Sequence, residues 1–157
     1  MAKNNVVLLI GSNINPAANI ATSLKRLSQL TDIKSKSSIW ETEAVGSNGP
    51  NFLNIAVEIE TNLKSEEIKQ GIIKPIESEI KRVRTENKYA PRTIDLDIII
   101  FNNQIMDKNL WEKVFIALPV SEIKPNLKNP NDQATLKVIA NKLKNSAFAE
   151  LFPKNEI

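Results

Sequence analysis

Apolar residues recur along this chain with two different periods, and the switches between them mark its elements. The run at 6–10, Val-Val-Leu-Leu-Ile, predicts a short buried strand. Pro16 then opens a helix in which Ile20, Leu24, Leu27 and Leu30 recur at helical spacing. A more polar strand is expected at 33–40, followed by a loop at 46–50, Gly-Ser-Asn-Gly-Pro. Residues 52–61 alternate cleanly, which puts Leu53, Ile55, Val57 and Ile59 on one face of a strand. Ser65 is a candidate cap for a helix whose first turn carries Glu66 and Glu67, where the dipole favours them. Its apolar stripe is Ile68, Ile72, Ile76, Ile80 and Val83, and Pro75 inside that stripe predicts a kink or two shorter helices. A strand within 90–100, a turn at Asn102-Asn103, a strand at 114–118 and a late helix carrying Leu136, Val138, Ile139 and Leu143 complete the pattern.

The order β-α-β-β-α-β with additions predicts an α+β fold: a ferredoxin-like antiparallel sheet with helices packed on it, as a three-layer α-β-α arrangement. The length suits one domain over residues 1–157 with a real core. Such a fold says nothing by itself about function.

Chemistry enters with Asp95 and Asp97, in the run Ala90-Pro91-Arg92-Thr93-Ile94-Asp95-Leu96-Asp97-Ile98-Ile99-Ile100. Positions two apart on a strand share a face, so the carboxylates lie roughly 7 Å apart along the chain while Leu96 and Ile98 face a core. Like charges placed so repel, and a hard divalent cation, Mg²⁺ above all, would offset that while sharing phosphate and water. An isolated Asp-x-Asp is better explained by a solvated strand end. The neighbours change the balance. The chain has seventeen lysines but four arginines, and Arg82, Arg84 and Arg92 fall within eleven residues just before the aspartates. Arginine's planar fork grips phosphate oxygens in a bidentate way that lysine does not reproduce. A basic helix end favoured by the dipole explains Lys81 and Arg82 but not Arg92. Together these residues point to a nucleotide-phosphate site.

Composition then narrows the chemistry. With no histidine and no cysteine, thiolate nucleophiles, Ser-His-Asp catalysis, disulfides and zinc held by His or Cys are excluded. Phosphoryl transfer needs only carboxylates, cations and a metal, and there is no P-loop motif. Ile10-Gly11-Ser12-Asn13 is by itself a turn signal. The net charge of +3 is too diffuse to argue nucleic-acid binding. No apolar run reaches membrane-spanning length and no signal peptide is evident, so a cytoplasmic monomer without nucleic-acid or membrane partners is expected. On the strand at 52–61, Phe52 and Asn54 lie opposite the apolar set. A ring beside an amide suits a flat, nitrogen-rich heterocycle, and Thr42 and Phe115 are candidates to complete the slot. Taken singly, each has an ordinary packing explanation.

These residues resemble the 6-hydroxymethyl-7,8-dihydropterin pyrophosphokinases of folate synthesis. The segment 90–100 is similar to that family's Pro-Arg-x-x-Asp-Leu-Asp signature, Ile10-Gly11-Ser12-Asn13 to its opening turn, and Phe52-Leu53-Asn54 to its pterin strand. Leu118-Pro119-Val120-Ser121-Glu122-Ile123-Lys124-Pro125 is similar to its Pro-Leu-x-Glu-Ile-x-Pro segment. The resemblance implies transfer of pyrophosphate from ATP to the pterin hydroxymethyl group, with release of AMP. It implies two Mg²⁺ ions on Asp95 and Asp97, and catalytic roles for these two with Arg82 and Arg92. It implies that Glu77, Arg84, Tyr89, Arg92, Ile98 and Lys113 contact ATP, and that Thr42, Val45, Phe52, Asn54 and Phe115 bind pterin. No dedicated general base is evident, and metal polarisation of the alcohol would serve instead.

One departure stands out. Before the pterin-stacking Phe the family usually carries a longer loop, with a basic residue, a Pro-His pair and an arginine. Here the connection is Ile105-Met106-Asp107-Lys108-Asn109-Leu110-Trp111-Glu112-Lys113, shortened and without histidine. Lys113 and Lys108 are the candidate stand-ins. A family member that binds pterin or nucleotide with weak or no catalysis is the alternative. RNA binding on a ferredoxin-like sheet is a third possibility, against which the scattered aromatics argue.

Overall fold

The structure, a computed structural model, describes residues 3–44, 49–82 and 94–153. Asn4–Ser12 forms the central strand β1, buried from Val6 onward because both of its faces are covered. Asn15, in left-handed backbone (φ 41), turns the chain into α1, Pro16–Leu30, with Pro16 in its first turn as expected. The strand expected at 33–40 is divided into β2, Asp32–Lys36, and β3, Trp40–Thr42. Ser37 causes the break. Its own N–H donates to the Ala56 carbonyl at 2.9 Å, and its hydroxyl oxygen, where a backbone carbonyl would stand, accepts from the Ala56 N–H at 2.8 Å.

The alternating stretch is β4, Phe52–Thr61, with the predicted bounds. It is followed by α2, Ser65–Ile68, by a π-helical turn, Lys69–Ile73, and by α3, Lys74–Arg82. Ser65 is the first helical residue rather than the cap. The preceding Lys64 N–H donates instead to the Glu67 carboxylate at 2.9 Å. The π turn is where the predicted irregularity falls: the Lys74 N–H reaches back to the Lys69 carbonyl, five residues away. Pro75, just beyond it, has no N–H to give a regular α-helical bond. A strict four-residue apolar repeat, Ile68-Ile72-Ile76-Ile80, would drift about 40° per step around an α-helix. The wider turn offsets that drift, and all four isoleucines are buried in one core.

The aspartate strand is β5, Asp95–Phe101. Asn102 and Asn103, both in left-handed backbone (φ 49 and 67), form a two-residue hairpin to β6, Gln104–Ile105. A 3₁₀ turn over Lys108–Trp111, capped by the Asp107 carboxylate, leads to α4, Val114–Ile123. The expectation of a strand at 114–118 is therefore overturned. Ile116 to Val120 are buried without exception, so this helix has no polar face whose period could reveal it. Then come α5, Leu136–Ser146, with its N-terminal N–H of Val138 capped by the Thr135 hydroxyl, and the edge strand β7, Ala149–Leu151.

The strands pair in the order β6-β5-β1-β4-β3-β7, with β2 also on β4, and every pairing is antiparallel. One core, containing Ile20, Leu27, Ile55, Ile59 and the Ile68–Ile80 stripe, packs α1, α2 and α3 against one face. A second, containing Leu9, Ile99, Ile116, Val120, Leu136 and Ala140, packs α4 and α5 against the other. The α+β, three-layer, ferredoxin-like expectation holds.

Candidate active site

Strand register assembles the site. Gly11 on β1 is opposite Asn54 on β4 and opposite Asp95 on β5, so these three form a row across the centre of the sheet. The next row is Ala56, Leu9 and Asp97, and Thr42 on β3 is opposite Phe52. Phe115, in the first turn of α4, comes down over this face. The result is a hollow of about 290 Å³ lined by Leu9, Gly11, Thr42, Glu43, Phe52, Asn54, Asp95, Asp97 and Phe115. Asn54 and Thr42 are each 2 % exposed, and the Asn54 amide donates to the Thr42 hydroxyl at 2.9 Å, which holds the amide in place. Two rings, a fixed amide and a carboxylate end make a slot for a small planar heterocycle bearing a polar substituent.

The aspartates also line a second hollow, of about 250 Å³, together with Lys69, Ile73, Lys74, Glu77, Lys81, Leu96 and Ile98. Among the described residues β6 pairs only with Ile100 and Phe101, and none of them adds a strand to the edge of β5 over residues 95–98, its open side. Glu77 accepts from the Leu96 N–H at 3.0 Å and ties α3 to that edge. Strand alternation projects the Ile98 backbone to the same open side. Asp95, half-buried, and Asp97, exposed, thus stand at the boundary between two hollows. They are hard oxygen donors on one face. Among the described residues no group of three or more Asp, Glu, His or Cys side chains is arranged to hold a metal ion.

Two polar ties fix α4 over the sheet. Glu122, seven residues beyond Phe115 on the same helix face, accepts from the Trp40 indole N–H at 2.6 Å and from the Ser38 N–H at 3.0 Å. Lys144 covers the Trp40 ring at 5.1 Å. Lys124, at the end of α4, pairs with Glu58 on β4 at 3.0 Å. Partial burial alone would raise the Glu58 carboxyl. Hydrogen bonds from Asn5, Lys124 and Ser35, with the Lys124 charge, outweigh that and hold it below the ordinary carboxylate range.

The sequence-derived residues divide as follows. Thr42, Phe52, Asn54, Phe115, Asp95 and Asp97 meet in the first hollow, with Phe115 on a helix rather than on a strand. Glu77 and Ile98 meet the aspartates in the second. Lys113 caps α4 and lines a third hollow beside Thr42, Glu43 and Phe115, away from the second; Lys108 is exposed in the 3₁₀ turn and lines none of these hollows. Arg82 ends α3 and its side chain lies outside the described residues, as do Val45, Arg84, Tyr89 and Arg92. Sequence reasoning missed Leu9, Gly11, Glu43 and the lysines 69, 74 and 81. Gly11 read as a turn signal because its two strand partners are distant in sequence.

Fold and site together define an antiparallel α+β domain with two adjoining hollows that share a pair of carboxylates. The chain belongs to the 7,8-dihydro-6-hydroxymethylpterin-pyrophosphokinase family, whose model matches residues 7–125. It is 35 % identical to "Folic acid synthesis protein FOL1" of Dictyostelium discoideum, over 91 % of this chain and 22 % of that protein. It is 34 % identical to the 2-amino-4-hydroxy-6-hydroxymethyldihydropteridine pyrophosphokinase of Bacillus subtilis, over 76 % of this chain and 78 % of that protein. The crystal structure of Plasmodium falciparum HPPK-DHPS wild type with pterin and p-hydroxybenzoate aligns with a TM-score of 0.69 and 16 % identity, over 92 % of this chain and 44 % of that one. At that identity the likeness speaks for the fold. The chain thus spans about a fifth of the Dictyostelium protein and under half of the Plasmodium one.

Proposed function

We propose that this chain transfers pyrophosphate from ATP to 6-hydroxymethyl-7,8-dihydropterin in folate synthesis, releasing AMP. The observation that carries this reading is the position of Asp95 and Asp97, shared by a heterocycle-sized hollow and a cation-lined one. A pterin held by Asn54 and Thr42 between Phe52 and Phe115 directs its hydroxymethyl group towards the carboxylates. ATP in the second hollow brings its phosphates to the same carboxylates from the other side. The hydroxymethyl oxygen bonds to the β-phosphorus, the bond from that phosphorus to the α,β-bridging oxygen breaks, and AMP leaves with that electron pair. The hydroxyl proton is released. Asp95 and Asp97 would hold two Mg²⁺ ions, whose contribution when bound is to neutralise phosphate charge and lower the alcohol's pKa. The same reading assigns phosphate contacts to Arg82, Arg84 and Arg92, a nucleotide contact to Tyr89 and a pterin contact to Val45. Glu77 and the Ile98 backbone face the nucleotide.

A cytoplasmic monomer without nucleic-acid or membrane partners goes with this reading. Among the described residues no helix is long and apolar enough to cross a membrane. The sheet face that RNA-recognition modules leave open is covered here by α4 and α5, which supports setting RNA binding aside.

The short connection at 105–113 favours a second reading, a pterin binder with little turnover, since neither Lys108 nor Lys113 lines the second hollow. Product analysis with purified protein, Mg·ATP and 6-hydroxymethyl-7,8-dihydropterin separates the two. Pterin-dependent AMP is expected. Pterin binding without AMP would establish the second reading instead.

A further inference from the structure

The connection at 105–113 brings no lysine to the second hollow, whose cations come from the helical segment before the aspartates. Lys69, Lys74 and Lys81 all line the hollow on the ATP side of the aspartates. None of the three is held in an ion pair among the described residues. Their alignment has a backbone cause. Lys74, Glu77 and Lys81 fall on one face of α3 by ordinary helical spacing. Lys69 does not belong to that face by α-helical phasing, because five residues of α-helix would turn it about 140° away from Lys74. The π turn removes the discrepancy: the Lys74 N–H bonds to the Lys69 carbonyl, so the two residues are stacked one π turn apart. All three lysines therefore line one hollow together with Ile73, Leu96 and Ile98. The carboxylates of Glu77, Asp95 and Asp97 line it too. Glu77 is engaged by the Leu96 N–H. These carboxylates oppose a polyanion, and cations in the hollow lessen that repulsion.

We propose that Lys69, Lys74 and Lys81 form a polyphosphate clamp, taking over the positive charge that the shortened connection does not bring to the site, and that the π turn exists to place Lys69 in it. The proposal rests on reading the second hollow as the ATP side of a pyrophosphokinase. A lysine clamp is a set of point charges rather than a bidentate grip, so it favours charge over shape. Nucleotide affinity should accordingly fall steeply with salt and with the loss of phosphates.

The test is equilibrium binding of Mg·ATP and of adenosine to the wild type, to Lys69→Gln/Lys74→Gln/Lys81→Gln, to each single variant, and to the triple arginine variant. Expected is a loss of Mg·ATP affinity of roughly tenfold or more in the triple glutamine variant, a shallower salt dependence, adenosine affinity within about twofold of wild type, and recovery in the arginine variant. Unchanged Mg·ATP affinity would overturn the clamp, and so would an equal loss for adenosine, which would make these side chains base or ribose contacts. The lysines are exposed, so the single variants serve should the triple one not fold. Lysine-dependent Mg·ATP binding in a wild type that forms no AMP would keep the clamp and remove the proposed reaction. AMP formed equally fast by wild type and triple glutamine variant at limiting ATP would do the reverse.

Discussion

Gly11 and Asn54 face each other across β1 and β4 so closely that a methyl group on Gly11 would lie 2.9 Å from the Asn54 side-chain oxygen. Asn54 has little freedom to withdraw, because its amide nitrogen is bonded to Thr42 and both residues are buried. Gly11→Ala should therefore push the amide out of position. A rise of roughly five- to hundredfold in the pterin KM is expected, the equivalent of about 1–3 kcal/mol of overpacking, with the ATP KM little changed. Steady-state kinetics against each substrate reads the split, and an ATP KM that rises as much would point to general disorder of β1.

Asp97→Asn keeps the shape of the carboxylate and removes its charge at the boundary between the two hollows. Turnover should fall by at least about a hundredfold, while pterin binding and thermal stability stay close to wild type. Asp97 is exposed on β5, so its substitution leaves the core intact. Retained turnover would remove the metal assignment.

Glu122→Ala should act at a distance from the ligand. It leaves the buried Trp40 indole N–H without its acceptor, a cost of about 1–3 kcal/mol, and frees the end of α4 whose other end carries Phe115. Lower stability, a shift in tryptophan fluorescence and weaker pterin binding are expected together. Glu122→Gln, which keeps an acceptor, should recover much of each.

The depressed Glu58 carboxyl makes part of the fold's stability depend on pH. Its folded value lies below 4.5, its ordinary one, so its contribution is complete above that value and is lost as pH falls through the folded value. Denaturant unfolding at a series of pH values below about 6 should show wild type losing stability more steeply than Glu58→Gln. Parallel curves would mean that Asn5, Ser35 and Lys124 contribute no net preference for the charged form.

Gly71 sits in the π turn with open space where a side chain would go. Gly71→Ala should raise stability by up to about 1 kcal/mol through the unfolded chain, visible as a higher Tm. A lower Tm would mean that the turn needs backbone freedom that alanine lacks.

Much of this was legible in the sequence wherever side-chain chemistry differs between the two faces of an element. β4 declared its bounds because Leu53, Ile55, Val57 and Ile59 alternate with polar or ligand-facing positions. The Asp95–Asp97 pair and the Phe52–Asn54 pair were found by the same period of two. α4 was misread as a strand because helix and strand look alike once every residue from Ile116 to Val120 is buried. Gly11 and the lysines of the second hollow were missed for a different reason. Gly11 depends on strand register and Lys69 on one extra residue in a helical turn, neither of which leaves a periodic trace, whereas Lys74 and Lys81 share ordinary helical spacing with Glu77.

That extra residue sets a constraint of an unusual kind. Winding Lys69–Ile73 as ordinary α-helix with all five residues kept would rotate everything before it by about 100° relative to α3. Ile68 would leave its buried stripe and Lys69 its hollow in the same movement. The turn thus absorbs one surplus residue, and removing Gly71 should close it to plain α-helix with Ile68 still in its stripe and Lys69 still on the face of Lys74.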